Sequence, residues 1–243
     1  MLKAVVFDGD DTLWRTMPLY TSAKTEFARL LSRRIGVRRE KAIVTLEKLD
    51  RANVQRFGLS RHRFPKSMSE AYVALAAGVG RGVDPILRER VRCIGERVFI
   101  RRSANIAGVE RVLRMLKCAG VTLVLCSKGD ERIQRSRIRD SGLSRFFKKI
   151  YIVREKGEKE FRRVLREHRV RPEEACSVGN SVRSDINPAL RLGMRAIWVR
   201  TETWALEREI PLRTRRLTRA KSPREILRAL RIEGHRSNSI GRF

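Results

Sequence analysis

The sequence predicts an α/β fold, a doubly wound parallel sheet with helices on both faces, interrupted after its first strand by an inserted helical unit. Three observations carry this. A short valine-rich run over residues 3–7 ends abruptly at Asp8. From about residue 18 to 102 apolar side chains recur at helical spacing. Beyond residue 104 helix and strand alternate, the pattern that specifies a parallel sheet. With 243 residues, 42% of them hydrophobic, the chain can bury one good-sized core and a smaller companion.

The elements follow in order. Residues 3–7 form a buried strand. Leu19, Ala23, Phe27, Leu30 and Leu31 mark a first helix, and Ala42, Ile43, Leu46 and Leu49 a second. A third is expected to start at Ser67, with Glu70 completing a capping box ahead of Ala71, Tyr72, Leu75 and Ala76. Asp84 followed by Pro85 opens a fourth, where the missing N–H of proline costs nothing; it carries Leu87, Val91, Ile94 and Val98. A helix over 109–119 is closed by Gly120, and 121–126 is a continuous apolar strand of the kind buried on both faces. Further strands are expected at 149–153, 175–178 and 195–199, with helices near 131–140, 158–168 and 185–192. A last strand at 217–220 precedes a helix over 223–232 capped by Ser222, and 234–243 reads as a loose tail. The division expected is a core of residues 1–15 and 104–243, with a four-helix unit at 16–103.

Composition narrows the function classes. No run of about 18 apolar residues occurs, and the N-terminal run is too short for a signal-peptide core, so the expectation is a soluble, cytoplasmic protein without a membrane partner. Cys93, Cys118, Cys126 and Cys176 stand singly, without the pairs of a zinc site or redox motif, and read as small buried hydrophobes. His62, His168 and His235 are equally isolated, which leaves a histidine-based mechanism little to work with. Lys and Arg number 56 against 27 Asp and Glu, a net charge of +29 that attracts phosphates, so nucleic acid is a partner to weigh. The charge is spread over nearly every predicted helix, however, and aromatics are only 6%. Basic clusters at 61–66 and 213–221 read as solvated faces, without a stacking platform or recognition helix.

In an open parallel sheet, ligands bind beyond the carboxyl ends of the strands. The first strand ends in Asp8, Gly9, Asp10, Asp11 and Thr12. Three carboxylates in four residues repel one another unless a divalent cation sits among them. A tight loop at Gly9 lets Asp8 and Asp10 face one pocket, and a magnesium ion is suited by such hard oxygen ligands shared with substrate phosphate. The second strand leads to Ser127, Lys128 and Gly129, a hydroxyl with backbone N–H groups where a phosphate oxygen could be held. Lys156 follows the next strand as a point charge for a transferring phosphoryl group. The fourth ends in Gly179 and Asn180, with Asp185 five residues beyond Asn180, adding oxygen ligands if this strand neighbours the first.

The run Val5-Val6-Phe7-Asp8-Gly9-Asp10-Asp11-Thr12-Leu13 resembles the first motif of the haloacid dehalogenase-like (HAD) hydrolase superfamily, D-x-D-x-T after a hydrophobic strand. Leu125-Cys126-Ser127 resembles the second motif, Lys156 the third, and residues 179–185 the fourth. The likeness covers about residues 3–200, with the helical stretch where that superfamily inserts a cap. It implies a Rossmann-like core and a magnesium-dependent phosphomonoester hydrolase acting on a small phosphorylated substrate. Asp8 would be the nucleophile, forming an aspartyl-phosphate, and Asp10 the general acid and base. The resemblance implies that Thr12 orients the loop, while Ser127, the backbone around Lys128, and Lys156 hold or neutralise phosphoryl oxygens. Asp8, the Asp10 carbonyl, Asn180 and Asp185 would hold Mg²⁺. An aspartate at position 10 is typical of the phosphatase branch and absent from the dehalogenases.

Asn180 departs from the family pattern, which places Asp there, and implies weaker metal binding. Lys159 competes with Lys156 for the motif lysine; Lys156 lies nearer the strand end. Trp14 and Trp204 read either as substrate or cap contacts or as packing. Two other readings stand beside the phosphatase: a basic nucleic-acid-binding protein on this scaffold, resting on charge alone, and a signalling receiver domain, which the helical insertion and the Asp8, Asp10 spacing fit poorly.

Overall fold

The computed structural model describes residues 1–231, and the tail expected over 234–243 lies outside the described residues. Six strands, β1 (Ala4–Phe7), β2 (Thr122–Lys128), β3 (Lys149–Val153), β4 (Ala175–Gly179), β5 (Arg195–Val199) and β6 (Leu217–Ala220), form one sheet. Every pairing is parallel and the order is β3-β2-β1-β4-β5-β6. The chain lays strands outward on one side of β1, then returns and lays them outward on the other. The switch point of the α/β sheet therefore falls between β1 and β4, where a crevice opens beyond the strand ends.

Side chains alternate across the sheet with period two. Val5 and Phe7 of β1 join Val112, Leu113 and Leu116 of α5 (Val109–Cys118), Ile138 of α6 (Glu131–Ser141), and Ile226 and Leu230 of α9 (Pro223–Leu230). Val6 points the other way, into a cluster with Phe161 and Val164 of α7 (Glu158–His168) and Ala189 of α8 (Asn187–Arg191). Two helical layers thus cover the sheet, the doubly wound arrangement expected.

Between β1 and β2 come α1 (Met17–Ile35), α2 (Arg39–Phe57), α3 (Arg63–Ala77) and α4 (Pro85–Ile100). Their apolar faces form a cluster of their own around Phe27, Leu31, Leu46, Phe64, Tyr72 and Ile94. The stretches of chain entering and leaving this unit run side by side: Ile106 N–H donates to Leu13 O at 2.9 Å, Arg15 N–H to Ala104 O at 2.8 Å, and Trp14 pairs antiparallel with Asn105. Asp84 caps α4 as its sequence suggests, accepting from Ile86 N–H at 2.8 Å. Helix α3 starts five residues earlier than the Ser67 box implies, with His62 rather than Ser67 at its N-cap. Ser67 instead donates to Arg63 O, and Asn53 of α2 donates to both Ser67 Oγ and Glu70 Oε2, so the serine and glutamate bind a neighbouring helix rather than a helix end. The cysteine expectation also divides: Cys126 and Cys176 are buried in strands, whereas Cys93 and Cys118 are exposed on helices. No helix among the described residues is long and apolar enough to cross a membrane.

Candidate active site

The loop leaving β1 turns tightly. A Cβ at Gly9 would run into the indole of Trp14 and within 3.1 Å of Ser127 Oγ, so only glycine lets the loop close over β2. Asp11 takes a left-handed backbone (φ 59°), uncommon for a residue with a Cβ. Its carboxylate repays this locally by accepting from Thr16 N–H at 2.8 Å, Thr16 Oγ1 at 2.5 Å and Met17 N–H at 2.9 Å. The third carboxylate of the cluster thus turns away from the other two and caps α1, tying the loop to the helical unit.

Asp8 is the floor of the crevice. Lys156 Nζ sits 3.0 Å from its Oδ1 and 2.6 Å from Asp185 Oδ1, bridging the ends of β1, β3 and β4 with a side chain only 1% exposed. Lys159 is exposed on α7. Burial pushes the Asp8 carboxyl up to about 7, with the charge of Asp185 adding to the rise and Lys156 opposing it. Burial also works against the Lys156 charge, but Asp185 and Asp8 outweigh it and hold the ammonium above its ordinary value. Two buried carboxylates on one lysine leave negative charge in excess. The Lys156 contact to Asp185 Oδ1 lacks hydrogen-bond geometry, so this buried oxygen has no hydrogen-bond partner.

The fourth motif builds the facing wall. Asp185 reaches back to accept from Ser181 N–H at 2.9 Å, across a turn of π-helix, Val182–Ile186. A Cβ at Gly179 would overlap that carboxylate, so glycine is what admits Asp185 to the site. Asn180 gives its amide nitrogen to Thr203 Oγ1 at 3.4 Å, leaving the oxygen for another partner. Among the described residues no group of three or more His, Cys, Asp and Glu side chains could hold a metal ion. The residues present nevertheless fit a hard cation that keeps part of its water: two carboxylates, one oxygen of which is buried and unbonded, an amide oxygen and a main-chain carbonyl.

Asp10 lines the same cavity and is held by three donors, Trp14 Nε1 at 2.6 Å, Gln134 Nε2 at 3.0 Å and Arg137 at 2.5 Å. Ser127 Oγ donates to Gln134 Oε1 at 3.0 Å, which fixes the amide so that its nitrogen faces Asp10. Neither Ser127 nor Thr12 is on the cavity wall; both are buried, and the Thr12 hydroxyl has no hydrogen-bond partner. The Gly129 N–H is not free for a phosphate either, because it donates to Val153 O at 3.0 Å. Lys128 does line the cavity, donating to Ser184 Oγ at 3.1 Å and pairing with Glu207, which in turn accepts from the hydroxyls of Ser181 and Ser184 at 2.6 and 2.5 Å.

Sequence reasoning passed over Gln134, Arg137 and Glu207. The first two lie three apart on α6, hence on one helix face, but nothing local says which face meets the strand ends. The helical unit closes the cavity, of ≈ 160 Å³, with Tyr20, Asp50, Arg63, Phe64 and Phe99. Arg63 stacks 5.0 Å over the ring of Trp204 in the loop after β5, and Arg61 N–H donates to Asp130 at 3.3 Å. Trp204 therefore joins core to helical unit, while Trp14 is buried beneath the first loop.

A family model described as haloacid dehalogenase-like hydrolase matches residues 2–193. The chain is 26% identical to a phosphoserine phosphatase of Thermus thermophilus, covering 82% of this chain and 88% of the relative. A crystal structure of a haloacid dehalogenase-like family hydrolase from Xanthomonas campestris superposes with a TM-score of 0.78 at 29% identity, covering 95% and 91% of the two chains. A 2-haloacid dehalogenase of Pseudomonas syringae shares the fold, with a TM-score of 0.56 at 21% identity over 95% and 99%.

Proposed function

From a chain that belongs to the haloacid dehalogenase-like hydrolases, we propose a phosphomonoester hydrolase that uses Asp8 as its nucleophile. The observation that carries this is the buried bridge from Lys156 Nζ to Asp8 and Asp185 at the sheet's switch point, with a second carboxylate, Asp10, on the same cavity. Relatives of both kinds, phosphatase and dehalogenase, share this family; Asp10 favours the phosphatase, because a halide needs no proton on leaving and an alkoxide does.

In the first half-reaction an Asp8 oxygen attacks phosphorus in line, the bond to the ester oxygen breaks, and that oxygen takes a proton from Asp10. Water then attacks the aspartyl-phosphate, gives a proton to Asp10, and frees inorganic phosphate with Asp8 restored. Trp14, Gln134 and Arg137 all donate to Asp10 and fix its carboxyl on the cavity wall, where it can serve both half-reactions. Lys156 neutralises charge on Asp8 and the phosphoryl oxygens, and Lys128 supplies a second positive charge at the end of β2. Ser127 serves through Gln134 rather than on the phosphate. Asp8, Asp185, the Asn180 amide and the Asp10 carbonyl are the residues to hold magnesium, which when bound keeps Asp8 ionised and screens the phosphoryl charge. Residues 16–103 act as a cap over the cavity and choose the substrate.

Phosphate release from a panel of small phosphomonoesters, with Mg²⁺ and with EDTA, tests the reading. Release that requires the metal and vanishes in Asp8→Asn is expected. Turnover unaltered by Asp8→Asn would overturn it.

A further inference from the structure

Two buried arginines on the cavity wall carry donors that the phosphoryl chemistry leaves unused. Arg63 begins α3 and is 4% exposed; Arg137 comes from α6 and is 8% exposed. Each is matched by a single carboxylate, Asp50 for Arg63 and Asp10 for Arg137. Nε of Arg63 is buried without a hydrogen-bond partner, and one terminal nitrogen of Arg137 has no partner of good geometry, only the nearby Tyr20 hydroxyl. A guanidinium nitrogen that is neither solvated nor bonded is costly, and folded proteins retain few such groups unless something outside the chain satisfies them. Tyr20 lies near both arginines, whose charges oppose the upward push that burial gives its hydroxyl. The two arginines that carry these donors line one cavity, from the helical unit and from the core, the one that contains Asp8.

We propose that Arg63 and Arg137, with Tyr20, form a second subsite that takes a carboxylate of the substrate, making the preferred substrates phosphomonoesters of small hydroxy acids. This rests on the phosphohydrolase reading and adds the substrate class to it. A carboxylate fits for two reasons. Its two oxygens in one plane match planar guanidinium donors better than a hydroxyl does. It also carries a single charge, and the wall already holds seven carboxylates against five basic side chains, which penalises a second phosphate dianion.

The test compares 3-phosphoglycerate with glycerol 3-phosphate, the same skeleton with a neutral hydroxymethyl in place of the carboxylate. With Mg²⁺ present, kcat/KM should favour phosphoglycerate by at least about tenfold. Arg63→Lys and Arg137→Lys retain a charge beside Asp50 and Asp10 but lose the fork, and should each bring the ratio of the two kcat/KM values toward unity, in Arg63→Lys through KM for phosphoglycerate. Equal turnover of the two esters, or a preference that survives both substitutions, would overturn the subsite. A binding measurement separates this from failure of the phosphohydrolase reading. Glycerate, but not glycerol, should raise the melting temperature of the wild-type protein and do so less in Arg63→Lys, whether or not any ester is hydrolysed. No difference between glycerate and glycerol would count against the subsite alone.

Discussion

Replacing Lys156 by methionine removes the cation that Asp8 and Asp185 share, in a place where water cannot take over. The lysine side chain is 1% exposed and the two carboxylates are 12% and 2% exposed. Breaking a buried ion pair by deleting one partner costs about 3–5 kcal/mol, since the remaining charge is stranded. In a chain of this size each kcal/mol lowers Tm by about 2–4 °C, so Lys156→Met should melt roughly 6–20 °C below wild type, as judged from thermal unfolding in EDTA. Two further readings isolate the cause. Asp8→Asn should cost less when combined with Lys156→Met than alone, because it discharges one of the stranded groups. Millimolar Mg²⁺ should raise Tm more in Lys156→Met than in wild type, by binding the folded state at the vacated charge. A loss under about 2 °C, with no larger response to Mg²⁺, would refute the idea that this lysine neutralises a buried acidic pair.

Other predictions follow from the same wall. Gly179→Ala should displace Asp185 and cost about 10²-fold in kcat while the far-ultraviolet circular dichroism stays unchanged, as misplacement by an ångström does elsewhere. Asn180→Asp should tighten the Mg²⁺ dependence of activity, seen as a lower half-saturating concentration; no tightening would argue against a ligand role at that position. Although burial opposes its charge, Glu207 is held below the ordinary carboxylate value by Lys128 and by the Ser181 and Ser184 hydroxyls. Its contribution to stability is therefore complete above the unfolded carboxylate range and lost as pH falls toward the lower folded value. The Tm difference between wild type and Glu207→Gln should shrink on acidification from about pH 6 to about pH 3.

The strands were legible because each is a short apolar run ending in residues of a different kind, and chemistry in a parallel sheet collects at those ends. Their spatial order was not. That β4 lies against β1, which brings Asp185 to Asp8, is a matter of pairing between segments about 170 residues apart, and no local signal encodes it. Ser67 and Glu70 show how a sound local rule misleads: a serine and a glutamate three apart cap a helix or bind a neighbouring one with the same donors and acceptors, and Asn53 decides. Free N–H groups at Gly129 were a fair inference from a strand end, but β2 runs on to Lys128, opposite Val153, and the Val153 carbonyl takes that donor. On α6, Gln134 and Arg137 sit among polar and charged side chains, Glu131, Arg132, Arg135, Arg139 and Asp140, so nothing local marks off the two that face inward from those that face water.

A net charge of +29 and a cavity with more acids than bases make two separate electrostatic regions. Outside, much of the arginine is spaced along helices beside its own glutamates, as in Arg92 with Glu89 and Glu96, Arg135 with Glu131, and Arg162 with Glu158. Such pairs contribute little to stability, and the excess charge around them acts at range, so that in the proposed phosphohydrolase it would draw phosphorylated molecules toward the protein without choosing among them. Inside, the choice would fall to a few buried groups that salt barely reaches. The two regions should separate kinetically: raising ionic strength from about 0.01 to about 0.5 M shortens the Debye length from about 30 Å to a few ångströms, so kcat/KM should fall while kcat stays level. A kcat/KM indifferent to salt would mean that the surface charge has no part in capturing substrate, whatever else it does.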